Sequence, residues 1–123
     1  MMPYAGIDII EIHRIKKAVD RWGERFLRNI YTDAELRLYD KKLQSLAARF
    51  AAKEAVMKLL GARGKGFSFR DIETLSQSDG QPILNLYGRA KSEAERLGIS
   101  EIAVSLAHTG EYALATAIAF CTG

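Results

Sequence analysis

Residues 49 to 58 read RFAAKEAVMK, and two of them have the types and spacing for ionic chemistry. Glu54 and Lys58 stand one helical turn apart, so on a helix their side chains lie within about 40° of each other. Ala47, Phe50, Ala51 and Met57 share that face, while Val56, Leu59 and Leu60 cover much of the rest. A helix that is apolar almost all round is a buried one. A carboxylate and an ammonium there cost several kcal/mol of desolvation unless each has a partner. Two readings are open: the charges pair only with each other, or Glu54 holds a cation and Lys58 meets an anion at the mouth of a cleft. A second acid favours the latter. The N-terminal stretch YAGIDIIEI has strand character interrupted by Asp8. Period 2 puts Ile7 and Ile9 on one face and Asp8 on the other, beside Gly6 and Ile10. Asp8 and Glu54 together offer two hard oxygen ligands, which suits Mg2+ held alongside substrate phosphates. The plainer alternative is a strand acid that caps the adjacent helix.

The elements that must position these groups follow from pattern. The sequence predicts a strand over 4–10, a helix from about 12 to 22, and a short helix after Thr32. Thr32 and Glu35 match the S/T-x-x-E capping box. The buried helix runs from about Leu43 to Leu60 and stops at Gly61. FSFRDIETLSQ and PILNLYG read as two strands joined around Ser78-Asp79-Gly80. GRAKSEAERLG reads as a helix, and ISEIAVSLAH and YALATAIAF as a second hairpin around Thr109-Gly110-Glu111. The expected fold is α+β: antiparallel strands and hairpins with inserted helices, in a single domain spanning residues 1–123.

On the first helix Ile12, Ile15, Val19, Trp22 and Phe26 form an apolar seam. Arg14, Lys17, Arg21, Arg25 and Arg28 fall within a stripe of about 60° if the helix continues past Gly23. The acids Glu11, Asp20 and Glu24 lie outside it. A one-sign stripe suits an acidic helix or a phosphate backbone. A solvated face is the bland reading.

GARGKGF, residues 61 to 67, lacks the spacing of a P-loop. Its glycines permit close backbone approach, and Arg63 and Lys65 can meet a phosphate. A helix cap and turn explains the glycines almost as well. His108 ends a strand on the face of Ile102, Val104 and Leu106. Ser105 lies near it in sequence, but no third group orients the two, so the pattern argues against covalent catalysis. The parts instead suit phosphoryl-type transfer, in which a metal and cations neutralise charge while a hydroxyl attacks.

Composition bounds the rest. The 123 residues, 48% hydrophobic and 27% charged, are ordinary for a globular protein. Cys121 is the one cysteine, so an internal disulfide is excluded and a reducing, cytoplasmic setting fits. No apolar run approaches the roughly 20 residues of a membrane span, and MMPYAGID has no signal-peptide pattern. No membrane partner is expected. The net charge of +3 favours an acidic partner without demanding nucleic acid.

The segments GIDIIEI, RFAAKEAVMK, GFSFRDIE, DGQPIL and VSLAHT, in this order, resemble the holo-acyl carrier protein synthases. These are the small bacterial members of the 4′-phosphopantetheinyl transferase superfamily. The likeness covers nearly the whole chain, and F-A-x-K-E-A-x-x-K with an upstream G-I-D is specific. It implies Mg2+-dependent transfer of 4′-phosphopantetheine from coenzyme A to a serine hydroxyl of apo-acyl carrier protein. Adenosine 3′,5′-bisphosphate is released, and the setting is fatty acid biosynthesis. By motif position Asp8 and Glu54 are implied as metal carboxylates and Lys58 as the lysine at the attacked phosphate. Arg49, Gly64, Lys65, Pro82, Ser105 and His108 join Lys58 as implied coenzyme A contacts. The acceptor of the serine proton stays open among Glu54, Asp8 and water. The basic first helix, with Arg14, Lys17, Arg21 and Arg25, is implied as the carrier-protein dock. A homotrimer with coenzyme A between subunits is implied as well.

One departure stands out. The family commonly has S-[IL]-S-H where this chain has Ser105-Leu106-Ala107-His108. Ala107 removes a hydroxyl, and a lost neutral hydrogen bond is worth only about 0.5–1.5 kcal/mol. Activity is expected to survive with weaker coenzyme A affinity. Two rival classes use fewer of these residues. A non-catalytic carrier-protein-binding module needs the basic helix but neither Asp8 nor Glu54. A nucleic-acid binder calls for exposed aromatics among the basic residues, whereas Trp22 and Phe26 are expected on the apolar seam.

Overall fold

Strict alternation in the first strand decides which way the chain's acid points. In a computed structural model that describes residues 4–61 and 66–121, β1 (Tyr4–Glu11) exposes Ile7 and Ile9 and turns Gly6, Asp8 and Ile10 inward. It is the edge of an antiparallel sheet of order β1-β5-β4, with β4 at Ile99–His108 and β5 at Tyr112–Cys121. The register sets Asp8 opposite Ala115 and Ala115 opposite Leu106. Ala113, Ala115, Ala117 and Ala119 of β5 are fully buried. Across from them runs the 17-residue helix α4 (Leu43–Leu59), whose Ala51, Ala52 and Ala55 are equally buried. Small residues on both sides let helix and sheet pack closely, and larger ones would force backbone shifts. (The intervening helices take the labels α1 to α3 in chain order.)

α1 (Ile12–Trp22) buries Ile12 and Ile15 and leaves its basic residues outside. Gly23, at φ 56° and ψ −133°, ends it, and α2 (Glu24–Ile30) starts in a new direction. Arg25 and Arg28 therefore do not extend the stripe of Arg14, Lys17 and Arg21 along one axis. α3 (Asp33–Tyr39) begins with the expected capping box between Thr32 and Glu35. The second sheet is the hairpin of β2 (Ile72–Ser76) and β3 (Pro82–Leu86), followed by α5 (Gly88–Arg96).

Two expectations need correction. The segment FSFRDIETLSQ is not one strand: Phe69–Asp71 forms a 3-10 turn, because Ser68 and Asp71 close a capping box that competes with extended backbone. Trp22 is not on the buried seam but 49% exposed. It sits in the last turn before Gly23, with the Arg21 guanidinium 4.8 Å from its ring centroid. Phe26, in contrast, packs against the core. Leu38 on α3 and Tyr87 are exposed singly, while four other apolar side chains share the outer face of the large sheet. Ile7, Ile9, Ile118 and Phe120 are 57%, 61%, 46% and 52% exposed there.

Candidate active site

The tightest contact at any described glycine explains the G-I-D sequence. A Cβ on Gly6 would lie 2.0 Å from the Ala55 carbonyl oxygen and 3.1 Å from the Leu59 nitrogen. β1 thus crosses the last turns of α4 at backbone contact, which only glycine allows. Two residues on, the same face carries Asp8, and it lands beside the acidic and basic groups of α4. The Lys58 ammonium donates to Asp8 Oδ1 at 2.9 Å and to the Ile7 carbonyl at 3.2 Å. Gly6→Ala is expected to cost about 1–3 kcal/mol by overpacking and to pull Asp8 away from Lys58. Thermal unfolding and turnover of the variant, measured together, check it: native stability with native activity would contradict the contact.

The pairing differs from the one read along the helix. Lys58 pairs with Asp8 across 50 residues of chain instead of with Glu54. Nor is Lys58 buried: its side chain is 56% exposed, against 13% for Asp8. It lies in the last turn of α4, where its stem carries the ammonium to the rim. Glu54 is half-buried beside them. Burial, chiefly, holds its carboxyl above the usual carboxylate range; the Asp8 charge adds to this, while Lys58 and Arg14 oppose it. A carboxylate whose neighbour's charge raises its own cost of ionisation, as Asp8 does for Glu54, suits a cation shared by the two. Their hard oxygens fit Mg2+, which keeps several waters and takes one or two protein carboxylates. Among the described residues no group of three or more His, Cys, Asp or Glu gathers.

The fully buried ion pair is elsewhere, and sequence reasoning missed it. Lys53, the first lysine of K-E-A-x-x-K, donates to Glu35 Oε1 at 2.7 Å, with both side chains at 0% exposure. It also donates to the carbonyls of Phe69, at 3.0 Å, and Ile72. Glu35 accepts from the Thr32 and Thr74 backbone N–H groups, each at 2.9 Å. Lys53 and Glu54 are neighbours in sequence and about 100° apart on the helix. One side chain ties α4 to the second sheet, and the other faces β1.

The other expected contacts fall in separate places. Arg49 is buried, donating to the Thr74 carbonyl at 3.3 Å and Ser76 Oγ at 2.9 Å, with its guanidinium 3.8 Å from the Tyr39 ring centroid. Pro82 pairs with Ser76 across the hairpin and so adjoins this cluster. Ser105 and His108 sit at odd and even positions of β4, on opposite faces. Ala107 shares the Ser105 face, so the missing hydroxyl does not adjoin His108 along the strand. His108 lies two strands and two residues from Asp8, about 12 Å by sheet spacing. A single chain therefore does not bring His108 to the carboxylates. Gly64 and Lys65, with Arg63, lie outside the described residues. On α1, Arg14, Lys17 and Arg21 are all exposed, and Arg14 is close enough to influence Glu54.

Comparison with known proteins bears on this arrangement. Residues 4–117 match the family model of the 4′-phosphopantetheinyl transferase superfamily. A holo-[acyl-carrier-protein] synthase of Dehalococcoides mccartyi (strain 195) is 58% identical over 118 residues, covering 96% of this chain and 98% of that one. The crystal structure of Helicobacter pylori holo-[acyl-carrier-protein] synthase in complex with coenzyme A aligns with a TM-score of 0.85 at 32% identity, covering 94% and 99% of the two chains. The holo-ACP-synthase of Plasmodium yoelii aligns with a TM-score of 0.87 at 28% identity over the full length of both.

Proposed function

The chain belongs to the 4′-phosphopantetheinyl transferase superfamily, and we propose that it transfers 4′-phosphopantetheine from coenzyme A to a serine hydroxyl of apo-acyl carrier protein, releasing adenosine 3′,5′-bisphosphate. The observation that carries this at the level of chemistry is the meeting of Asp8 with Glu54 and Lys58 through the Gly6–Ala55 crossing. Asp8 and Glu54 would hold Mg2+, which when bound supplies neutralisation of the pyrophosphate charge. Lys58, exposed at the rim, would reach the phosphate under attack and stabilise the charge that develops there. Release of adenosine 3′,5′-bisphosphate only when apo-carrier protein and coenzyme A are both present is the expected outcome of a chromatographic assay. Release without carrier protein, or none at all, would contradict the reaction.

Arg49, Pro82, Ser105 and His108, with Gly64 and Lys65, are proposed as the coenzyme A contacts. Among the described ones, Arg49 with Pro82, Ser105, and His108 lie on three separate surfaces that one chain does not bring together. This division supports the homotrimer, with coenzyme A bound between protomers, that the family resemblance implies. The exposed Ile7, Ile9, Ile118 and Phe120 give such an assembly an apolar surface to cover. A cytoplasmic role in fatty acid biosynthesis belongs to the same proposal. No helix among the described residues is long and apolar enough to cross a membrane.

Arg14, Lys17 and Arg21 are proposed to dock the acidic carrier protein, with Arg25 on α2 at the edge of that surface. Arg14→Glu is expected to raise the KM for carrier protein several-fold and leave coenzyme A affinity unchanged, since a rim charge acts mainly on encounter and register. An equal change in coenzyme A affinity would show that Arg14 belongs to the nucleotide site instead. The exposure of Trp22 removes one argument against nucleic acid as the partner. The transferase family, with its carrier-protein substrate, is the reading that uses Asp8 and Glu54 as well.

A further inference from the structure

We infer that Lys58 is an internal counter-cation that competes with divalent metal for Asp8 and leaves when an anion arrives, so that metal and phosphate-bearing ligand tighten each other's binding. This rests on the reading of Asp8 and Glu54 as the metal carboxylates. Lys58 Nζ stands 2.9 Å from Asp8 Oδ1 and so already engages the carboxylate that a cation would use. The two partners differ in freedom. Asp8 is held on a strand with a side chain 13% exposed, whereas the Lys58 side chain is 56% exposed on a flexible stem. Lysine can therefore swing into solvent without leaving a hole, and the carboxylate stays for the metal. An ion pair this exposed is weak and easily exchanged.

Charge arithmetic gives the direction. Asp8 and Glu54 ionised carry two negative charges, and Lys58 returns one positive. The set is then net negative with lysine alone and net positive once a divalent ion joins it. That excess suits a phosphate or pyrophosphate. An anion that draws Lys58 away from Asp8 removes a competitor of the metal, and by linkage the metal raises affinity for the anion by the same factor.

The test uses Mn2+ alone, with free ion read by electron paramagnetic resonance, on the native protein and on Lys58→Met, Lys58→Arg and Asp8→Asn. Lys58→Met is expected to bind Mn2+ about fivefold or more tighter, the low end of ordinary site–site coupling, and Lys58→Arg no tighter than native. A second readout is the 13Cε resonance of Lys58, assigned by its loss in Lys58→Met, which is expected to move as Mg2+ saturates the protein. Equal or weaker Mn2+ binding in Lys58→Met, or an unmoved resonance, with Asp8→Asn still impaired, overturns the competition and leaves the ligand assignment standing. Unchanged Mn2+ affinity in Asp8→Asn overturns the ligand assignment and the inference with it.

Discussion

Asp8→Asn and Glu54→Gln are each expected to slow transfer by about 10²–10³-fold, the rate equivalent of several kcal/mol of lost transition-state charge stabilisation. Neither change should unfold the protein. The amide keeps the shape of each side chain, and Asp8 is the strand partner of Ala115 through its backbone. For Glu54 the effect on stability should run opposite to that on activity. Burial and Asp8 raise its carboxyl above the ordinary range, so the folded state holds a proton to higher pH than the unfolded chain does. Stability from this group is present at low pH and is lost as pH rises through the raised folded-state value. In metal-free protein, Glu54→Gln should therefore unfold at a slightly higher temperature than native near neutrality. Its melting temperature should also lack that part of the pH slope. A variant that keeps turnover, or that loses turnover only by unfolding, would remove Glu54 from the catalytic machinery.

Lys53→Ala carries the largest expected effect on stability. It would strand the Glu35 carboxylate at 0% exposure and remove the ammonium donor to the Phe69 and Ile72 carbonyls. Breaking one side of a buried pair costs about 3–5 kcal/mol, a large part of the 5–15 kcal/mol that roughly spans domain stabilities. Burial already lowers the Lys53 pKa, and the Glu35 contact opposes that shift. Urea denaturation should show a midpoint far below native, with turnover per folded molecule retained. A midpoint close to native would mean that the Glu35–Lys53 contact contributes little.

How far the sequence could be read depended on the range of the contact involved. Local signals served well. The Thr32–Glu35 capping box, the stop at Gly61, both hairpin turns and the sharing of one strand face by Gly6, Asp8 and Ile10 are all set within a few residues, and the structure has each of them. Gly23 also behaved as a breaker, at the cost of a continuous Arg14-to-Arg28 stripe. What failed was pairing at a distance. Glu35 was legible as a capping residue, yet its second role with Lys53 depends on α3, α4 and β2 meeting. Lys58 was legible as a charge near Glu54, but its bond to Asp8 needs β1 to cross α4. The available clue was Gly6, two residues before an acid on the same strand face. Trp22 fitted the helical period and still lies exposed, because the seam ends where the helix does. The family motif pointed to the acids and Lys58 as candidates, while the partition of Arg49, Ser105 and His108 among separate surfaces required coordinates.

The central claim is that this chain moves phosphopantetheine in a metal-dependent reaction. It is met most directly by intact-protein mass spectrometry of apo-acyl carrier protein incubated with the protein, coenzyme A and Mg2+, beside an EDTA control. A gain of one phosphopantetheine mass is expected with Mg2+ and none with EDTA. No gain in either sample, with carrier protein still bound, would contradict it and leave a non-catalytic binding module; an equal gain in both would contradict the metal role of Asp8 and Glu54.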